Sequence, residues 1–97
     1  MRLWQTRNMK IIAVCGAGIG TSVLLKMNAE KVLRTLGLTA TVEASDIETA
    51  RASRDAQILL TTPEIVEKLQ GLPSEVIAIN HVFDLGEISE KLSKAML

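Results

Sequence analysis

The sequence predicts an α/β domain built on one open, four-stranded parallel sheet with helices on both faces. Three observations carry this. Short β-rich runs alternate with helical stretches four times within 97 residues. The first run, Lys10-Ile11-Ile12-Ala13-Val14, is apolar without alternation, as a strand buried on both faces is. The connections are short, and short connections between parallel neighbours are right-handed crossovers.

Residues 9–14 form the first strand, and from about Gly20 to Leu36 the period becomes helical. There Leu25, Ala29, Val32, Leu33 and Leu36 make an apolar stripe, with Lys26, Glu30 and Arg34 beside it at steps of four. Gly37 supplies the stop. Residues 39–44, rich in β-branched side chains, read as the second strand. Ser45 with Glu48 matches a capping box and opens a short helix to about Ser53. Residues 56–60 are the third strand, and Thr62 then caps a helix with Pro63 at its first position and Ile65, Val66 and Leu69 facing inward. Gly71 and Pro73 break it, and residues 75–79 give the fourth strand. Asp84 with Glu87 opens the last helix, whose buried face is marked by Leu85, Ile88, Leu92 and Met96. The predicted strand order is 2-1-3-4, a Rossmann-like arrangement with a phosphate-binding loop after strand 1.

The composition is that of one small globular domain, 47% hydrophobic and 23% charged. Eleven basic residues balance eleven acidic ones, and the aromatics are Trp4 and Phe83 alone. Neither a basic stripe nor stacking platforms are present, which argues against a nucleic-acid surface. No apolar run approaches the roughly 20 residues that span a bilayer. Residues 1–8 carry Arg2 and Arg7 but no apolar core, so they read as a leader outside a domain of residues 9–97 rather than a secretory signal. A single cysteine forms no internal disulfide and fits a reducing cytoplasm.

That cysteine, Cys15, stands where the first strand breaks into Gly16-Ala17-Gly18-Ile19-Gly20-Thr21-Ser22. Three glycines let the backbone turn tightly and aim successive N–H groups inward, a nest for an anion. The following helix adds its positive end and its unpaired first-turn donors. The same field favours a thiolate at Cys15. In open α/β sheets ligands bind beyond the carboxyl ends of the strands where the strand order reverses, here between strands 1 and 3. Thr61-Thr62 and Asn80-His81 leave strands 3 and 4 along that edge.

Familiar nucleotide motifs do not fit. In a dinucleotide fingerprint the last glycine would fall at Thr21, and in a Walker loop the second glycine would fall there too, with Ser22 in place of lysine. A small tyrosine phosphatase clamps the transferring group with an arginine six residues after its cysteine; that position is again Thr21. The segment 14–22, with Leu24-Leu25-Lys26-Met27 after it, resembles the IIB components of the bacterial phosphoenolpyruvate-dependent sugar phosphotransferase system. Within these it is most similar to the ascorbate type, related to the lactose/cellobiose and galactitol types. The resemblance runs from about Met9 to Leu97 and includes Glu43-Ala44-Ser45-Asp46, Thr61-Thr62-Pro63-Glu64 and residues 80–84.

The resemblance implies a phosphoryl relay without a cofactor or metal. Cys15 would take a phosphoryl group from a phosphohistidine of a IIA protein and pass it to a sugar, ascorbate-like or a polyol, held by a membrane IIC component. The N–H groups from Gly16 to about Ser22 would bind the phosphoryl oxygens, aided by the Thr21 and Ser22 hydroxyls. The missing arginine suits a carrier, which must hold its group rather than hydrolyse it. A non-catalytic IIB-like regulatory or anion-binding module is the alternative.

The remaining candidates each have a plainer reading. Thr21 and Ser22 also serve as a helix cap, Lys26 as the solvated partner of Glu30, and Asp46 as part of a helix start. Thr61 and Thr62 suit a cap but stand within reach of the phosphoryl loop. His81, the single histidine, makes no zinc site with one cysteine. Met27 and Met96 read as core fillers.

Overall fold

The computed structural model describes residues 9–15, 19–53 and 55–96. Four strands, β1 (Lys10–Val14), β2 (Thr41–Ser45), β3 (Ile58–Thr61) and β4 (Glu75–Ala78), form a parallel sheet in the order β2-β1-β3-β4. The expected topology is the observed one. Between the strands run α1 (Ile19–Leu36), α2 (Ile47–Ala52) and a 3-10 helix (Pro63–Leu69), and α3 (Leu85–Met96) follows β4.

Two apolar clusters cover the two faces. On one side Ile11, Ala13 and Leu60 of the sheet meet Leu25, Ala29, Val32 and Leu33 of α1 and Ile88 and Leu92 of α3. On the other, Ile12, Val14 and Leu59 meet Ala50 of α2 and Ile65 and Leu69 of the 3-10 helix. Successive residues of β1 thus alternate between two cores, which explains the continuous apolar run. Each fully buried leucine or isoleucine contributes about 1.5–3 kcal/mol of burial free energy. At the edge, β2 is covered on one face: Val42 is buried while Thr41 and Glu43 are exposed.

The end of α1 is a Schellman turn. Gly37 adopts φ 73°, its N–H bonds the Arg34 carbonyl at 3.2 Å, and the Leu38 N–H bonds that of Leu33 at 2.9 Å.

Several boundaries and faces differ from the sequence reading. Helix α2 is capped by Asp46, whose Oδ1 accepts the Thr49 N–H at 2.8 Å, whereas Ser45 ends β2. The segment after Pro63 winds as a 3-10 rather than an α-helix, and Thr62 makes no cap bond because its hydroxyl donates to Glu64 Oε2 at 2.7 Å. Met27 is 49% exposed, on the face of α1 opposite the apolar stripe, so it is not a core filler; Leu85, expected on the buried face, is 43% exposed as the first residue of α3. Met96 does pack against the first cluster.

Candidate functional site

The sheet delivers Cys15 to its carboxyl edge. The residue follows β1, the strand flanked by β2 and β3, and is only 5% exposed. Gly16, Ala17 and Gly18, the start of the expected nest, lie outside the described residues, as do residues 1–8.

Helix α1 begins at Ile19. The first-turn N–H groups, those of Ile19, Gly20 and Thr21 among them, have no carbonyl partner within the helix and carry its positive end. Taking Ile19 and Gly20 into the helix makes Thr21 and Ser22 its third and fourth residues, so neither is the cap that the sequence suggested. Ser22 is buried and Thr21 half-buried. A Cβ on Gly20 would meet nothing within 4 Å among the described residues, so packing against them does not explain that glycine. Lys26 holds Glu30 at 3.1 Å, one turn along α1.

Ser22 and Asp46 come together on the walls of a depression of about 330 Å³, completed by Val23, Ala44, Ser45 and Thr49. Asp46 is committed there: hydrogen bonds from Thr49 hold its carboxyl below the usual carboxylate range.

On the opposite side of β1, Thr61 ends β3 with no exposure at all. Its carbonyl accepts the Ile79 N–H at 2.7 Å, yet its hydroxyl has no partner. It is the one buried side-chain oxygen or nitrogen in that condition among the described residues. A buried hydroxyl without a partner costs about 1–3 kcal/mol, a penalty a valine would avoid. Sequence reasoning marked Thr61 by position, but an unpaired hydroxyl is visible only once the neighbours are known.

His81 stands farther along the edge, its side chain 78% exposed, with Nδ1 3.7 Å from Glu87 Oε1. Sequence reading missed what Glu87 does. Its carboxylate does not return to the Asp84 N–H, as a capping box would; that N–H bonds the His81 carbonyl at 2.9 Å. Instead Oε2 accepts the Asn80 N–H at 2.7 Å and Oε1 the His81 N–H at 2.9 Å, while Lys91 Nζ donates to Oε2 at 2.8 Å. Lys91, working against desolvation and helped by the two backbone donors, pulls the Glu87 carboxyl down to about 2. The Glu87–Lys91 spacing of four was a legible signal; the return to residues 80–81 was not. Asp84 completes its half of the cap by accepting the Glu87 N–H at 3.1 Å. His81, Asp84 and Glu87 bring three ligand atoms within 4.8 Å of one another. Both Glu87 oxygens are already occupied, however, and the Lys91 ammonium beside them opposes a cation.

Cys15 thus follows β1, and Thr61 closes the neighbouring strand β3. Among the described residues no helix is long and apolar enough to cross a membrane.

A family model described as PTS system, Lactose/Cellobiose specific IIB subunit, matches residues 10–94. The Ascorbate-specific PTS system EIIB component of Mycoplasma pneumoniae is 32% identical over 94 residues, which cover 95% of this chain and 99% of that protein. Two solved structures share the fold. The lactose-specific IIB component domain of the phosphoenolpyruvate:carbohydrate phosphotransferase system from Streptococcus pneumoniae superposes with a TM-score of 0.68 at 12% identity, covering 93% of this chain and 99% of its own. The Enzyme IIB subunit of a PTS system from Escherichia coli K12 gives 0.53 at 14% identity, covering 91% and 89%.

Proposed function

The chain belongs to the PTS family of lactose/cellobiose-specific IIB subunits, components of sugar phosphotransferase systems, and on that premise we propose that it relays a phosphoryl group through Cys15. One observation carries the reading: the single cysteine stands at the end of β1, four residues before the N-terminus of α1.

In the first step the Cys15 thiolate attacks the phosphorus of a phosphohistidine on a IIA protein. The S–P bond forms as the N–P bond breaks, and the imidazole leaves with the bonding pair and takes up a proton. In the second a hydroxyl of a sugar held by the membrane IIC component attacks the same phosphorus. The S–P bond breaks, the thiolate returns, and the hydroxyl proton passes to a base on the acceptor side. Both steps require alignment and stabilised charge more than further covalent chemistry. The N–H groups from Gly16 to Ser22 serve as the oxyanion donors, and removal of one such donor costs a few kcal/mol of transition-state stabilisation.

IIA and IIC take turns over the rim around Cys15, so each contact is small and transient. The sugar is ascorbate-like or a polyol, chosen by IIC, and the relay operates in the cytoplasm. Thr62, Asp46 and His81 are assigned to the surrounding rim rather than to the chemistry.

The test is mass spectrometry of the intact chain and its peptides after incubation with phosphoenolpyruvate, the general phosphotransferase proteins and a IIA donor. One acid-labile phosphoryl group on the Cys15 peptide, lost in Cys15→Ser, is the expected result. No modification with several competent donors would instead favour a regulatory, anion-binding module.

A further inference from the structure

The depression beside Ser22 carries an anion and no cation. Its walls are Ser22 and Val23 of α1, Ala44 and Ser45 of β2, and Asp46 and Thr49 at the start of α2. Strands β1 and β2 pair in parallel with Val14 opposite Ser45, so Cys15 and Asp46 are the next residues of two adjacent segments. The backbone of Asp46 is still extended, at φ −87° and ψ 176°. Because α1 supplies one wall, the depression opens on the α1 side of the sheet, at the edge to which β1 leads.

Among the described residues that line it, Asp46 alone is charged. Hydrogen bonds from Thr49 hold its carboxyl below the usual range, which keeps it ionised at neutral pH. It has no ion-pair partner among the described residues. The described basic groups nearest in sequence, Lys26 and Arg51, are held elsewhere, by Glu30 and by the carbonyls of Lys68 and Gln70. Beside the carboxylate stand the apolar side chains of Val23, 38% exposed, and Ala44. An apolar wall that ends in a carboxylate matches a lysine or arginine, whose carbon stem covers apolar surface while its charged head meets an anion. The relay gives such a cation a use. A IIA donor brings an anionic phosphoryl group to an edge that Asp46 already makes negative, and like charges set side by side oppose docking. The chain offers no arginine six residues after Cys15 to offset this, since Thr21 stands there.

We propose that this depression is a docking socket for one lysine or arginine side chain of the IIA donor, with Asp46 as its anionic partner. This deepens the relay reading and rests on it. A charge at the rim governs how readily two proteins meet rather than the chemistry that follows, so Asp46 is a docking residue and not a catalytic one.

Asp46→Asn keeps a capping oxygen and removes the charge, and Asp46→Ser is a second neutral cap. Each full-length variant, its fold checked by thermal unfolding, is mixed with a series of concentrations of phosphorylated IIA prepared with phosphoenolpyruvate and the general phosphotransferase proteins. Phosphocysteine formation is followed by rapid quench and intact mass. Both variants are expected to need about fivefold more IIA for the half-maximal rate, the scale of one charge pair that is still partly exposed. The rate at saturating IIA should stay at the parent's. Added salt should raise the half-saturating concentration more in the parent than in the variants, because it screens a pair only the parent makes. An unchanged half-saturating concentration in Asp46→Asn overturns the proposal, and so does a lower one, which would show that the carboxylate only repels the incoming group. The same salt response in parent and variants also overturns it, as does a lower rate at saturation, which would place Asp46 in the chemistry. If the parent takes no phosphoryl group on Cys15 from several competent donors, the relay reading fails and this inference falls with it. If the parent loads and the variants' half-saturation does not move, this inference alone fails.

Discussion

Glu87 Oε2 lies 2.7 Å from the backbone nitrogen of Asn80, across the turn that joins β4 to α3. With Oε1 on the His81 N–H and Lys91 Nζ donating both to Oε2 and to the Ala78 carbonyl, one carboxylate ties the exit of β4 to the first turns of α3. Asn28 braces the same turn from α1, its Nδ2 donating to the Val82 carbonyl at 2.7 Å.

Replacing Glu87 by alanine should lower stability by about 1–3 kcal/mol, since two backbone donors lose their acceptor and Lys91 keeps only the Ala78 carbonyl. The effect depends on pH in a defined direction. The folded-state carboxyl titrates at about 2, below its ordinary 4.5, so its contribution is complete above about 4.5 and fades as pH falls toward 2. Unfolding free energies of the parent and Glu87→Gln, measured by denaturant titration, should therefore converge as the solution is acidified through that window.

Asp46 lines the depression beside Ser22, yet its carboxylate is engaged by Thr49. Asp46→Ala should lower the melting temperature by a few degrees through loss of the cap, whereas Asp46→Asn, which keeps a capping oxygen, should melt near the parent. At saturating IIA both should accept the phosphoryl group at the parent rate. A loss of loading in Asp46→Asn that persists there would move this residue into the transfer machinery.

Gly20 offers a sharper separation of fold from function. Space is open where its Cβ would stand, so Gly20→Ala should leave stability unchanged or raise it by less than about 1 kcal/mol. If phosphoryl oxygens approach the first turn of α1, the added methyl should slow loading of Cys15 by about tenfold, less than the loss of a complete oxyanion donor. Rapid-quench measurement of phosphocysteine formation reads this directly. An unchanged rate would place the phosphoryl group away from Gly20.

The strand order was legible because the apolar run of β1 could only be a central strand and the chain returns to the sheet after every crossover. The place of Cys15 followed from the same logic. What was not legible depends on competition between near-equal local options. Thr62 had a cap's identity and position, but the Glu64 carboxylate two residues on took its hydroxyl, and the short segment closed as a 3-10 turn. Ser45 and Asp46 were both capable caps, and the strand claimed the first. Met27 was read as core from its residue type although the helical period puts it opposite the stripe, and Leu85 has the right period but stands at the first residue of α3, where it is 43% exposed. Glu87 had a capping-box spacing, and only the folded turn shows that two other N–H groups stand nearer to it.

Strand β1 is held by partners on both edges and covered on both faces, and this sets how the molecule opens. Amide hydrogens at Ile12 and Ala13 should exchange with solvent only when the whole chain unfolds, while the 3-10 helix and α2 exchange through smaller openings. The periphery can thus open at little cost while the strand that anchors the thiol stays in register. Cys15, the residue after this strand, would lose its place last, so the lifetime of its setting becomes the lifetime of the fold.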